Sequence, residues 1–373
     1  MDQQKKARLY SNIKVAIGIF ELLVLFLFLI IFQFSNASHV TKEYACNIAS
    51  NQYLYISIYF LIFSVLYYLI NFPANYFSGY LLEQKFSLSN QNILGWFKDE
   101  LKSVILSFCV SLLVVQVLYI FLRVFSGIWW ILMALFWVFF TIVLSRIIPT
   151  FIIPLFYKYK PLQDNELRKR LIGLAGKANV KVLDTYEIDF SKKTKKANAA
   201  LVGLGKSRRI ILADNLVKDF SHEEIEVVIA HEIGHHKLLH MWKMLFFGGG
   251  VAFLIFYIAD SVLTNSLHML GASAIYDIEI FPFFCLILSA FSILLMPIQN
   301  EFSRKIERSA DGFALKITGN KEGFISLMKK LAEKNLADFK PNKIIEFIFY
   351  DHPSISNRIE FAEEFQLEKM ERN

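Results

Sequence analysis

Six stretches of this chain stay apolar over roughly the 20 residues a helix needs to cross the hydrocarbon core of a bilayer. They are residues 15–34, 53–72, 104–122, 128–145, 244–263 and 280–300. Backbone in lipid must satisfy its own hydrogen bonds, so each run is expected to be a helix and the chain mainly α, a polytopic transmembrane bundle. Composition agrees, with 55% hydrophobic and only 20% charged residues, against roughly 25% charged in soluble domains. The first run follows Lys5, Lys6, Arg8 and Lys14. It exceeds the apolar centre of a signal peptide and is read as a retained span. Pro73 is expected to end the second. Residues 147–157 are apolar but short and hold Pro149 and Pro154; they extend the fourth span, cross separately or re-enter.

Six spans put both termini on one face. That face then carries Lys5, Lys6, Arg8, Lys14, Lys85, Lys98, Lys102, all of 158–243 and everything after Glu301. The other face has Lys42 and Arg123, and the loop 265–279 has neither Lys nor Arg. The positive-inside rule makes the basic face cytoplasmic. A seventh span would carry the basic N-terminus across. This placement accounts for much of the net charge of +7, so no nucleic-acid partner is expected. Cys46, Cys109 and Cys285 lack metal-ligand spacing and imply no disulfide framework.

The organisation expected is transmembrane helices over 1–157, a polar α+β part over 158–243, two further spans over 244–300 and a helical part over 301–373. In the polar part, 162–178 reads as an amphipathic helix, 180–188 and 209–213 as strands, and 197–201 as a third, with Gly203 and Gly205 marking a hairpin turn. Ser221-His222-Glu223-Glu224 fits a capping box that opens a helix through 225–239.

That helix holds His231-Glu232-Ile233-Gly234-His235. Residues four apart share a helix face, so His231 and His235 can point two imidazoles at one ion. Glu232 beside them can reach a metal-bound water. Zinc with two histidines needs one more protein ligand if a position is to stay open for water. Glu307, after the sixth run, supplies it, and Asp311, four residues on, can accept a hydrogen bond from a ligand histidine and fix its tautomer. Alone, 300–311 would read as a solvated charged helix; with the upstream motif it reads as ligand-bearing.

Several segments together resemble the membrane zinc metalloproteases that include the CAAX prenyl endopeptidases and, more distantly, the HtpX-type quality-control proteases. They are the loop around Phe72-Pro73-Ala74 to Phe86 with Phe97-Lys98-Asp99, Asn198-Ala199 to Ile210, the helix 229–236, Glu307 to Asp311 as E-x-x-A-D, and His352-Pro353-Ser354 with Arg358-Ile359. Lys196 and Ala200 depart from the family pattern around Asn-Ala. The resemblance implies a zincin-like cytoplasmic protease domain, one Zn2+ per chain, and a peptide or protein substrate that is prenylated or membrane-associated. It implies that His352 stabilises the oxyanion or orients substrate, with Arg358 in support. Asn198 and Ala199 are implied to lie on the strand that pairs with substrate. The expected reaction is peptide hydrolysis by a zinc-activated water with Glu232 as general base. A structural-zinc chaperone or lipid-binding module would need a fourth protein ligand, and a transporter would need two related halves; neither is visible in the sequence.

Overall fold

The computed structural model describes residues 3–203 and 208–366; Gly205 of the expected turn lies outside them. Helix α1 (Gln3–Phe34) is followed by the short α2 (Ala37–Ile48). Helices α3 (Gln52–Lys85), α4 (Ile93–Val124) and α5 (Trp129–Phe156) come next. Asn51 and Asn92 open α3 and α4 by accepting from backbone amides of their first turns. Among the described residues six helices are long and apolar enough to cross a membrane: α1, α3, α4, α5 and two later ones. On α1, Leu23, Leu27 and Ile31 lie one turn apart and are each more than half exposed. A stripe of that kind suits lipid and not water.

Pro73 does not end the second span: the helix continues to Lys85, with a wider turn at Phe77–Leu81. Residues 147–157 likewise extend the fourth span, through a similar turn at Ile148–Ile152 beside Pro149. A proline removes one backbone donor, whereas leaving the helix would unpair several groups, so the helix loosens locally instead of breaking.

Between α5 and the fifth span lies a small sheet: β1 (Tyr159–Pro161), β2 (Asp184–Ile188), β3 (Ala199–Val202) and β4 (Arg209–Ala213). Its order is β1-β2-β4-β3, with β2 and β4 parallel and the other pairs antiparallel. β3 is therefore an edge. β2 is shorter than the apolar run 180–188 because Val180 is used to close helix α6 (Asn165–Lys177), donating its amide to Ala175 O. β3 starts later than expected because Asn335 pins Ala197, accepting from its amide at 3.0 Å and donating to its carbonyl at 3.3 Å.

After α7 (Asp214–Asp219) the expected capping box forms at Ser221 and opens α8 (His222–Lys237). Leu239, at φ 57°, turns the chain into α9 (His240–Ser266), the fifth span. The sixth, α10 (Phe281–Thr318), runs 38 residues without a break, about 57 Å at 1.5 Å per residue. The charged segment after 300 is thus the same rod as the span. Of helices α11 (Lys321–Asn335), α12 (Lys343–Phe349) and α13 (Ile355–Glu364), the last two pack against it, and α11 packs against α8 and α13.

Among the described residues two large apolar cores stand out beside a smaller third cluster at Tyr10, Leu82 and Phe86. One, among the spans, is built on Leu29, Ile56, Tyr59 and Trp129. There the Trp129 indole donates to Asp260 at 2.5 Å, which gives an intramembrane acid a protein partner. The other, around the sheet, gathers Leu167, Ile210, Leu216, Ile225 and Phe324. Glu224 secures the start of α8 to α11: beyond the cap bond to Ser221 N (2.8 Å), it accepts from Ser326 Oγ (2.6 Å) and Lys330 Nζ (2.8 Å). Glu224→Ala, which removes all three, is expected to destabilise by about 2 kcal/mol, read as a lower unfolding midpoint of the detergent-solubilised chain.

Candidate metal centre

Helices α8 and α10 cross where Gly234 faces Ala310 and Phe313. A Cβ on Gly234 would lie 3.1 Å from Phe313 Cδ1 and 3.4 Å from Ala310 Cα. The missing side chain lets the two backbones approach and brings Glu307 opposite the histidine face of α8. His231 Nε2 lies 3.0 Å from His235 Nε2 and 3.2 Å from Glu307 Oε2. His235 Nε2 lies 3.4 Å from Glu307 Oε1. Ligands bonded at roughly 2.0–2.1 Å to a tetrahedral ion stand about 3.3 Å apart, so these spacings, measured to the two oxygens of one carboxylate, suit a single ion held among the three residues. Among the described residues they are the group able to hold a metal ion.

Glu307 Oε2 gives a second indication. It is buried with no hydrogen-bond partner of acceptable geometry among the described residues, although His231 Nε2 is close. A buried carboxylate oxygen left unsatisfied is costly, and a cation between these groups satisfies it. The two rings are shifted in opposite directions. Burial opposes a charge on His231, yet Asp311 and Glu307 outweigh it and raise its pKa to about 9. Burial and the neighbouring His231 hold His235 down at about 4.

Behind the donors, Asp311 lies 2.8 Å from His231 Nδ1 and is only 1% exposed. Arg358 grips the same carboxylate through Nε (2.9 Å) and Nη2 (2.6 Å), a bidentate pair of the strong kind. Glu232 projects into a cavity of about 260 Å³ lined also by His231, Glu307, His352, Arg358, Asn198 and Ala199. Burial pushes the Glu232 carboxyl up, helped by Glu307 and opposed by His231 and the Leu201 amide. His352 Nε2 stands 3.5 Å from Glu307 Oε2, and its Nδ1 is 2.9 Å from Asp351. Of the residues given site roles in the sequence, His231, Glu232, Glu307, Asn198, Ala199, His352 and Arg358 line this cavity, and Asp311 and His235 adjoin it through His231.

Other contributors were missed. The far wall of the cavity is apolar, with Leu216, Phe324, Leu327, Met328 and Leu331. Their sequence pattern is that of core, so nothing local marks them. Lys196, the departure from the family pattern, is tied to Glu83 of α3 at 3.0 Å and to the Tyr10 hydroxyl of α1 at 3.0 Å. It joins the lead of β3 to the membrane helices. His236 donates from Nε2 to Leu201 O at 3.0 Å, and Asn198 Oδ1 accepts from the Ala199 amide at 2.9 Å. A signal existed for the histidines: four of the chain's 8 fall within 231–240.

Residues 161–366 match the family described as Peptidase family M48, and residues 1–158 match the CAAX prenyl protease N-terminal family, described as five membrane helices. Within 3–158 the structure has four candidate spans and the 12-residue α2. The chain belongs to peptidase family M48, as an integral, multi-pass membrane metalloendopeptidase acting on peptide or protein substrates. It is 32% identical to CAAX prenyl protease 1 of Saccharomyces cerevisiae, over 78% of this chain and 68% of that protein. To a Bacillus subtilis protein named Uncharacterized metalloprotease YhfN it is 29% identical, over 96% of this chain and 84% of the relative. The crystal structure of S. mikatae Ste24p superposes with a TM-score of 0.86 at 27% identity, covering 97% of this chain and 89% of that one.

Gly234→Leu is expected to force α8 and α10 apart, costing about 1–3 kcal/mol. The same variant should retain less metal on purification, measured by elemental analysis, because Glu307 is carried away from the histidines.

Proposed function

We propose that this endopeptidase is zinc-dependent, with His231, His235 and Glu307 holding the metal and Glu232 as general base. The observation that carries the proposal is the convergence of two imidazole nitrogens and the Glu307 carboxylate, 3.0 to 3.4 Å from one another. Two imidazoles and a carboxylate suit zinc, and three protein ligands leave the open position typical of catalytic sites. When bound, zinc supplies an acidified water and a Lewis acid for the scissile carbonyl. Glu232 takes the proton of the attacking water on its carboxylate and returns it to the leaving nitrogen. Its raised pKa moves the base toward the working pH. Asp351 raises the pKa of His352 and so favours a ring protonated on both nitrogens, which lets Nε2 donate to the carbonyl oxygen as it turns negative. Asp311 orients His231, and Arg358 holds Asp311 in place.

Substrate is proposed to lie extended along β3, beside Asn198 and Ala199. Backbone pairing at a strand edge gives affinity with loose side-chain specificity. The Ala199 amide, now bonded to the Asn198 side chain, faces away from β4 and is free to pair once that side chain moves. A prenylated C-terminal peptide is the substrate class supported by the name of the yeast relative. The distribution of Lys and Arg supports a cytoplasmic catalytic part. The division at 157, 243 and 300 stands as a proposal too, with α10 crossing the last boundary.

Glu232→Gln is expected to keep zinc and lose cleavage by roughly 10²–10⁴-fold; full activity would remove Glu232 as the base. Glu307→Ala is expected to lose zinc, and stoichiometric metal in that variant would disqualify the ligand. A farnesylated peptide should be cut faster than the same peptide without the lipid. Equal rates would remove the prenyl group from recognition while leaving the peptidase chemistry standing.

A further inference from the structure

Each proposed ligand histidine has a second ring nitrogen turned away from the other donors, and the two are held by different chemistry. His231 Nδ1 meets a carboxylate, Asp311, at 2.8 Å. Among the described residues, His235 Nδ1 meets no carboxylate; it lies 3.1 Å from Nδ1 of His240, the first residue of α9, which is 2% exposed. On its far side His240 Nε2 lies 2.9 Å from Ser309 Oγ on α10, and that hydroxyl lies 2.8 Å from the carbonyl of Ile306.

Counting hydrogens along this chain of contacts leaves one arrangement compatible with a metal. The Ile306 carbonyl can only accept, so the Ser309 hydroxyl gives its hydrogen there. Ser309 Oγ then accepts from His240 Nε2–H, which leaves His240 Nδ1 as a lone pair. That lone pair accepts from His235 Nδ1–H, and His235 Nε2 is left bare toward Glu307 and His231. In the reverse arrangement His235 carries its hydrogen on Nε2 and cannot ligate. We infer that His240 and Ser309 are positioning residues that fix the tautomer and ring orientation of His235. They do so by an uncharged relay, where His231 relies on an anion. The relay also ties α8, α9 and α10 together, so the ligand set is completed from the end of a membrane span.

The inference rests on the metal site proposed above, and the test separates the two. Zinc affinity of the purified full-length chain is measured by competition with a chromogenic chelator, without reference to cleavage. His235→Ala is expected to abolish tight zinc binding; unchanged affinity there would overturn the metal site itself. His240→Leu is expected to weaken zinc roughly tenfold or more. His240→Asn, whose side-chain oxygen takes the place of Nδ1, should recover most of that loss. His240→Gln is nearer to histidine in size but places its polar end at Nε2, and should stay weak. A packing role would rank Gln above Asn. That order, or a His240→Leu chain binding zinc as tightly as the parent, overturns the positioning role while the His235→Ala result still supports the site. If His240→Leu fails to fold, the order of Asn and Gln decides.

Discussion

Everything at the centre of this molecule depends on how closely two helix backbones approach at Gly234. Side chains of ordinary size would hold α8 and α10 at the 8–10 Å usual for packed helices. Here Ala310 and Phe313 press against a position with no Cβ, and the facing residues, His231 and His235 on one helix and Glu307 and Asp311 on the other, interlock. The contact is also where two solvents meet. α10 belongs to the membrane bundle over its first half and to the sheet-containing part over its second. A hydrolytic centre needs a dry, shaped cavity beside water, and a helix that leaves lipid and enters a soluble core supplies both.

The candidate metal-centre residues were legible because their spacing is helical, whereas His352, Arg358, Asn198 and Ala199 were reached only through the family resemblance. His231, Glu232 and His235 on one turn and a half, and Glu307 with Asp311 on another, are patterns that local geometry imposes wherever they occur. The capping box at Ser221 was legible for the same reason. What joined the two turns was not. Nothing near Arg358 announces that its guanidinium closes on Asp311, 47 positions earlier, and nothing near Asn335 shows that it pins Ala197. Such contacts belong to topology, which a single sequence does not spell out.

The membrane half shows the opposite balance. The number of spans was legible, since hydropathy over 20 residues is a strong signal, but their ends were not. Pro73 and Pro149 carry a rule learned from water-soluble helices, where a chain that leaves the helix finds solvent partners. Here both helices run on through widened turns, and side chains supply polar partners beside them, Lys14 to Ser78 O and Tyr159 to Pro149 O. The short β1 escaped notice for a simpler reason: three residues, one of them Pro161, hold no period at all.

The unbroken length of α10 has a mechanical meaning. Continuous over 38 residues, with Pro297 inside it, it runs from among the membrane spans to the point where Glu307 meets two imidazoles. Helices answer a change in hydrocarbon thickness by tilting. The same rod that lies among the spans thus carries Glu307 and Asp311, so the orientation of the span and that of the two carboxylates are set together.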